Sequence, residues 1–137
     1  MTQPQRQLPA IEATTRFFWE GGRDGRLLIQ KCECGHYQHP PLPRCRACGS
    51  ERLAPAAVSG KGHVASFTIN RQSWLPGLEP YVFAAVALVE QDGLHVFTNI
   101  CDCPLDRVTI GMPVEVMFDQ QDDVWLPLFR PAGEADD

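Results

Sequence analysis

Lys31-Cys-Glu-Cys34-Gly35-His36-Tyr-Gln-His39-Pro-Pro-Leu-Pro-Arg44-Cys45-Arg46-Ala-Cys48-Gly49 is the stretch around which the chain organises itself. Cys45-Arg-Ala-Cys48-Gly49 reads as a metal knuckle. Two thiolates three residues apart curl around one ion, and the following glycine supplies a left-handed turn. The first half, Cys32-Glu-Cys34-Gly35, is one residue shorter. In extended chain, residues i and i+2 share a face, so both thiolates reach one ion if the backbone bends at Gly35. Two short cysteine clusters about ten residues apart are a metal signal. Three other readings stand beside it: disulfides, a metal-free remnant, or a ligand set in which His36 or His39 replaces a cysteine. No secretory leader is expected, because the first residues are polar and contain proline. A cytoplasmic chain with this spacing favours metal over disulfides. The expected ligands are Cys32, Cys34, Cys45 and Cys48, and the expected ion is zinc. Four thiolates leave no open coordination position, so that zinc is structural.

The remaining composition is that of a small globular protein of 137 residues with 44% hydrophobic content. One ordinary domain and a small satellite fit this length. No apolar run is long enough to span a bilayer. Residues 1–53 carry eight Lys/Arg against five Asp/Glu, and residues 54–137 carry four against twelve. The second part is therefore acidic, the reverse of what gripping a nucleic-acid backbone requires.

Working outward from the cysteines, residues 12–25 predict a short amphipathic helix. Thr14 or Thr15 is its cap, and Gly21-Gly22 or Gly25 its end. Phe17, Phe18 and Trp19 exceed what one narrow stripe buries, which marks them as partner-interface candidates; folding back onto the ribbon is the other reading. Leu27–Gln30 predicts a strand, and Tyr37–Pro43 a proline-rich loop without regular structure. From residue 57 the pattern changes to alternation and β-branched residues. Five strands are predicted: 62–71, 81–90, 94–100, 113–120 and 124–130. Asp92-Gly93 and Asp122-Asp123 are hairpin turns. The long link 101–112 fits a crossover between the third and fourth strands. That arrangement suits a small Greek-key barrel of the OB type, with an SH3-like barrel as the alternative. Trp74-Leu-Pro-Gly-Leu-Glu-Pro80 is a loop with an apolar tip, and Trp74 joins the interface candidates.

Taken in order, several segments resemble one family. They are Phe18-Trp-Glu-Gly-Gly-Arg-Asp-Gly-Arg-Leu-Leu-Ile-Gln-Lys-Cys32, His39-Pro-Pro-Leu-Pro-Arg-Cys-Arg-Ala-Cys-Gly-Ser50, Val58-Ser-Gly-Lys-Gly-His-Val-Ala-Ser-Phe-Thr68, Ile110-Gly-Met-Pro-Val-Glu-Val116 and Leu126-Pro-Leu-Phe-Arg-Pro131. The chain resembles the DUF35 proteins over about residues 12–131. It departs from them at Cys32-x-Cys34, where the family usually has C-x-x-C. The resemblance implies a mainly β chain with a short N-terminal helix, a rubredoxin-like zinc ribbon and a five-stranded OB-fold barrel. The expected division is a helical segment 1–26, a ribbon 27–53, a barrel 54–131 and a disordered tail 132–137. It also implies a non-catalytic subunit beside thiolase-superfamily enzymes (thiolases, acyltransferases and aldolases) acting on acyl-CoA thioesters, in a heteromeric complex such as a heterotetramer.

The residues agree with a non-catalytic reading. Cys101-Asp-Cys103 is the one pair with nucleophile chemistry, and His63 and His95 are the available bases. No motif links them, and Asp102 and Asp106 oppose thiolate formation. Gly21-Gly-Arg-Asp-Gly25 and Ser59-Gly-Lys-Gly62 match no nucleotide fingerprint. Arg44, Arg46, Lys61 and Arg71 surround the ribbon–barrel junction in sequence and are the candidates for CoA phosphates. The rival class is a single-stranded nucleic-acid binder, since OB barrels stack bases on strand aromatics. Here Phe67, Trp74, Tyr81, Phe83, Phe97, Phe118, Trp125 and Phe129 are placed as core or loop residues without interleaved Lys/Arg.

Overall fold

The structure is a computed structural model that describes residues 15–71 and 80–132. The helix starts beyond Thr15, whose carbonyl accepts the Phe18 N–H at 3.0 Å. Helix α1, Arg16–Glu20, gives way to a 3-10 segment, Gly21–Asp24, which ends at Gly25 with φ +71°. The expected helix is thus shorter and tighter than its pattern suggested. Two consecutive glycines, each disfavoured in a helix interior, sit where the change occurs. Residues 12–14 and Trp74 lie outside the described residues, as does the tail beyond Ala132.

Strand β1, Leu27–Cys32, carries the first ligand position at its end, and the second, Cys34, lies in the turn that follows. It pairs antiparallel on one side with the two-residue strand β2, Tyr37–Gln38, and on the other with β3, Leu53–Val58. Neither β2 nor β3 was expected. Pro55 argues against a strand, but β3 is an edge of the order β2-β1-β3, the place where a sheet tolerates proline. Its pairing with β1 runs from Leu27↔Val58 to Cys32↔Leu53.

Strands β4 (Lys61–Asn70), β5 (Tyr81–Leu88), β6 (His95–Ile100), β7 (Pro113–Gln121) and β8 (Val124–Pro131) close a barrel in the order β4-β5-β6-β8-β7. The β6–β8 pair is parallel, at Ile100↔Phe129, and β7 returns to β4 at Gly62↔Val114. This is the OB-type Greek key, with the 101–112 link as its crossover. The first hairpin turns at Gly93, φ +78°, and the last at Asp122, φ +58°. Where β8 runs beside β6 at Pro127, which has no N–H to offer, the buried Thr98 hydroxyl donates to the Pro127 carbonyl at 3.0 Å.

The barrel core is Val64, Val82, Ala84, Val86, Val96, Ile100, Val114 and Phe129, and it is continuous with Leu27, Ile29 and Phe18 from the ribbon side. Helix α1 and its 3-10 extension pack onto β8. Gly22 lies against Trp125 and Phe118, and the Arg23 guanidinium sits 4.9 Å from the centre of the Trp125 ring. At the ribbon–barrel junction Gln91 pairs with the main chain of Tyr37 in both directions. Its side-chain oxygen accepts the Tyr37 N–H at 2.8 Å, and its NH2 donates to the Tyr37 carbonyl at 2.8 Å. A side chain from the β5–β6 hairpin therefore acts as one more rung against β2.

Candidate metal centre and docking faces

Both halves of the cysteine stretch fold as tight turns. In the first, Gly35 takes φ +98°, its N–H donates to the Cys32 carbonyl at 2.9 Å, and the Cys34 N–H points at the Cys32 sulfur at 3.4 Å. In the second, Gly49 takes φ +79°, its N–H donates to the Cys45 carbonyl at 2.9 Å, and the Ala47 N–H points at the Cys45 sulfur at 3.3 Å. The bend at Gly35 is what lets the shorter C-x-C spacing converge.

The four sulfurs all lie within 4.8 Å of one another. Cys32 and Cys48 are 3.5 Å apart, and Cys34 and Cys45 are 3.8 Å apart. A tetrahedral zinc with Zn–S bonds of about 2.3 Å requires sulfur–sulfur edges of about 3.8 Å. The cluster fits that ion and is far too open for disulfides, whose sulfurs stand about 2.05 Å apart. His36 and His39 are not among the clustered donors. His39 instead packs its ring on Phe18, with centroids 4.6 Å apart, and burial lowers its pKa to about 4.

The thiols show why a cation is needed. The Cys34 N–H favours a Cys32 thiolate, but burial and the three neighbouring thiols push that group up to about 12. Burial opposes ionisation of Cys45 too, yet the N–H groups of Cys48 and Ala47, together with the Cys32 and Cys34 thiols, outweigh it and bring that thiol down to about 7. Four sulfurs this close do not all ionise without a counter-charge at their centre, and a divalent metal supplies it. All four positions are taken, so the zinc site is structural.

The other candidate residues disperse. Arg44 is engaged with Glu51 at 2.8 Å, and its guanidinium also donates to the Gly49 carbonyl at 3.2 Å. Arg46 lies in the second knuckle. Lys61 starts β4, and Arg71 follows its last residue. At about 3.3 Å per residue along the strand, the chain between these two spans at most about 33 Å, and they sit at opposite ends of β4. Phe18 is 7% exposed and belongs to the core, so its three-ring cluster presents only Phe17 and Trp19, each partly covered. Phe17 lines an open groove of about 520 Å³ with Arg16, Glu20, Gln30 and Pro55. Cys103 donates to the Pro104 carbonyl at 3.5 Å, and burial raises its pKa, the wrong direction for a nucleophile. His95 stands six residues along β6 and its following turn from Cys101, about 20 Å in extended chain.

One surface differs from the sequence expectation. Phe83 and Phe97 are not core residues. They are 45% and 67% exposed and stack on the outside of the barrel with planes 5° apart and centroids separated by 5.9 Å. The three strands beneath them, β4, β5 and β6, carry one formal charge between them, Lys61. The sequence hid this face because Tyr81-Val-Phe-Ala-Ala-Val-Ala-Leu88 is apolar on both sides, leaving no polarity contrast to separate outside from inside.

Residues 19–54 match the family described as "ChsH2, rubredoxin-like zinc ribbon domain", and residues 56–119 match "ChsH2, C-terminal OB-fold domain". A DUF35 domain-containing scaffold protein from Pyrococcus furiosus is 35% identical over 73% of this chain and 74% of its own length. The chain belongs to the DUF35 family. A probable enoyl-CoA hydratase alpha subunit from Thermomonospora curvata is 38% identical over 93% of this chain. A 3-oxo-4,17-pregnadiene-20-carboxyl-CoA hydratase alpha subunit from Mycobacterium tuberculosis is 32% identical over 90% of it. The chain spans only 40% and 39% of those two relatives. A solved chain described as an Ltp2-ChsH2(DUF35) aldolase superimposes with a TM-score of 0.82 at 36% identity, covering 92% of this chain and 100% of that one. For this DUF35 chain, no helix among the described residues is long and apolar enough to cross a membrane.

Proposed function

We propose that this chain is a non-catalytic accessory subunit of a thiolase-like enzyme acting on acyl-CoA thioesters in the cytoplasm, the partner being a thiolase, an acyltransferase or a retro-aldolase. The observation that carries the reading is the likeness to the aldolase chain, which runs the full length of that chain at 36% identity. The barrel supports it physically. A charge-poor outer face topped by two stacked aromatic rings has the composition of an interface centre, where charged residues are depleted and aromatics enriched. Among the described residues its strands offer a single cation, Lys61, too little for single-stranded nucleic acid beside its stacking rings. In this reading the partner supplies the nucleophile and the acid–base groups, and the zinc ribbon holds a rigid shape against it. Phe17 and Trp19 on the helix form the second contact region, with Trp74 as a further candidate. Arg46, Lys61 and Arg71 have no ion pair among the described residues, which leaves them available to CoA phosphates at the rim; Arg44 would have to leave Glu51.

The test is a tagged pull-down from the native host in moderate salt, followed by mass spectrometry. A stoichiometric thiolase-fold protein is expected, in a heterotetramer if the partner is itself a dimer. Phe83→Asp combined with Phe97→Asp is expected to abolish the association while leaving the barrel folded. Capture of a hydratase-fold protein instead would replace the proposed partner class. Recovery of the chain alone, or with nucleic acid, would remove the subunit reading. Charge reversal at Arg46 is expected to weaken acyl-CoA binding by the assembled complex, and unchanged binding would eliminate that contact.

A further inference from the structure

Gln38 is 4% exposed and sits inside the ribbon, on the short strand β2. Its side-chain amide makes three bonds. The NH2 donates to the Gln30 side-chain oxygen at 2.7 Å and to the Arg44 carbonyl at 3.0 Å. The oxygen accepts the Arg46 N–H at 2.9 Å. The orientation of this amide is fixed by its partners, because a main-chain N–H only donates and a carbonyl only accepts. The two main-chain bonds fall on the residues immediately before and after Cys45.

Gln30, directly opposite Gln38 in the β1–β2 pair, extends the same device. Its NH2 donates to the Leu42 carbonyl at 2.9 Å, and its oxygen accepts the Leu42 N–H at 2.9 Å. Between them the two amides hold the main chain at residues 42, 44 and 46. This segment needs such help. Pro40, Pro41 and Pro43 offer no N–H, so it has no ladder of its own. Yet it must deliver the Cys45 sulfur to within 3.8 Å of the Cys34 sulfur. On its far side Cys45 is tied by its own N–H to the Ser50 carbonyl at 2.9 Å.

We propose that Gln38 is a positioning residue for the zinc centre, gripping the backbone on both sides of Cys45 so that its sulfur meets the ion without reorganisation. Its role is that of the outer-shell partners which orient metal ligands and which typically cost about 10–100-fold in metal affinity when lost. The inference rests on zinc occupying the four-cysteine site.

The experiment measures zinc affinity of the full chain by competition with a chromophoric chelator, together with the order in which cysteines of the zinc-loaded protein are alkylated. Two variants are used. Gln38→Ala removes the amide, and Gln38→Met removes its hydrogen bonds while keeping its length and volume. Gln91→Ala is the control, since Gln91 anchors the ribbon to the barrel through Tyr37 and does not touch residues 44–46. The expected result is a loss of about 10–100-fold in zinc affinity for both Gln38 variants, less than a threefold change for Gln91→Ala, and Cys45 becoming the first ligand alkylated. Wild-type affinity in Gln38→Met overturns the proposal. So does an equal loss in Gln91→Ala, or alkylation rising evenly at all four cysteines, because each reports general loosening of the ribbon. A wild-type chain that holds no zinc overturns the zinc assignment and the clamp together, an outcome distinct from the clamp failing alone.

Discussion

Replacing Gly22 by alanine tests how the helical segment docks on the barrel. A Cβ at this position would lie 2.5 Å from the Trp125 Cβ and 2.6 Å from the Phe118 Cδ1, where ordinary contact begins near 3.4 Å. The Trp125 Cβ is rooted in β8 and cannot swing away like the tip of a flexible chain. The segment must back off by almost an ångström, which is overpacking worth about 1–3 kcal/mol. Alanine by itself favours helical backbone over glycine by about 0.5–1 kcal/mol. The net loss centres on about 1 kcal/mol and reaches at most about 2.5 kcal/mol, which for a chain of this size is a fall in Tm of about 3–5 °C at the centre of the range. Thermal unfolding followed by tryptophan fluorescence and by far-ultraviolet circular dichroism measures it. Gly25 gives the contrast. It has φ +71° and nothing within 4 Å of its would-be Cβ, so its alanine variant suffers only from backbone conformation. Asparagine, which tolerates that conformation, should recover stability at Gly25 and worsen it at Gly22. A Gly22→Ala protein as stable as the wild type, or more so, would refute the close docking of this segment against Phe118 and Trp125.

Three further outcomes are expected. Zinc analysis should give one ion per chain, and chelation should unmask Cys32, Cys34, Cys45 and Cys48 together; retention should weaken as pH falls, because protons compete for the thiolates. Cys45→Ser should lose the ion while the barrel keeps its circular dichroism, and an undiminished zinc content would contradict the four-sulfur site. His39 should make the protein acid-sensitive. Its unfolded imidazole takes a proton below about 6.5 and the folded one only near 4. Stability from this group is therefore intact above about pH 6.5 and declines towards pH 4, by at most about 3 kcal/mol. Urea unfolding of the wild type and His39→Phe across that range should diverge below pH 6.5; parallel curves would exclude it.

Much of this fold could be read from its punctuation. The cysteine knuckles, the turns at Gly93 and Asp122, and the alternation of β4 and β6 all reappear in the fold, because each depends on local chemistry. What escaped depends on partners distant in sequence. Leu53-Ala-Pro-Ala-Ala-Val58 has no alternation and a proline, and becomes a strand only because β1 lies beside it. Phe83 and Phe97 face outward because the small core of Val82, Ala84 and Val86 fills the barrel first, a choice that only closure makes. The zinc ligands were legible, whereas the amide of Gln38 was not. Glutamine carries no spacing signature, and its two main-chain partners beside Cys45 come together only through the loop that it holds.

The packing of α1 against β8 has a consequence for the order of events during synthesis. The helix leaves the ribosome about a hundred residues before the strand that covers it. At that stage the segment is far too short to persist as an isolated helix. The zinc ribbon can close on its metal early, from contacts within residues 27–58. The barrel cannot close until β8 emerges to lie between β6 and β7. Phe18 can settle early on His39, and Phe17 beside Gln30 and Pro55 of the ribbon, but Trp19, which packs with Val124, Leu126 and Leu128, waits in solvent through most of translation, a window in which sticky aromatic surface invites premature contacts. Late burial of Trp19 leaves a large ring uncovered until the last strand is made, so changes in β8 are expected to lower the folding yield of this chain as well as its stability.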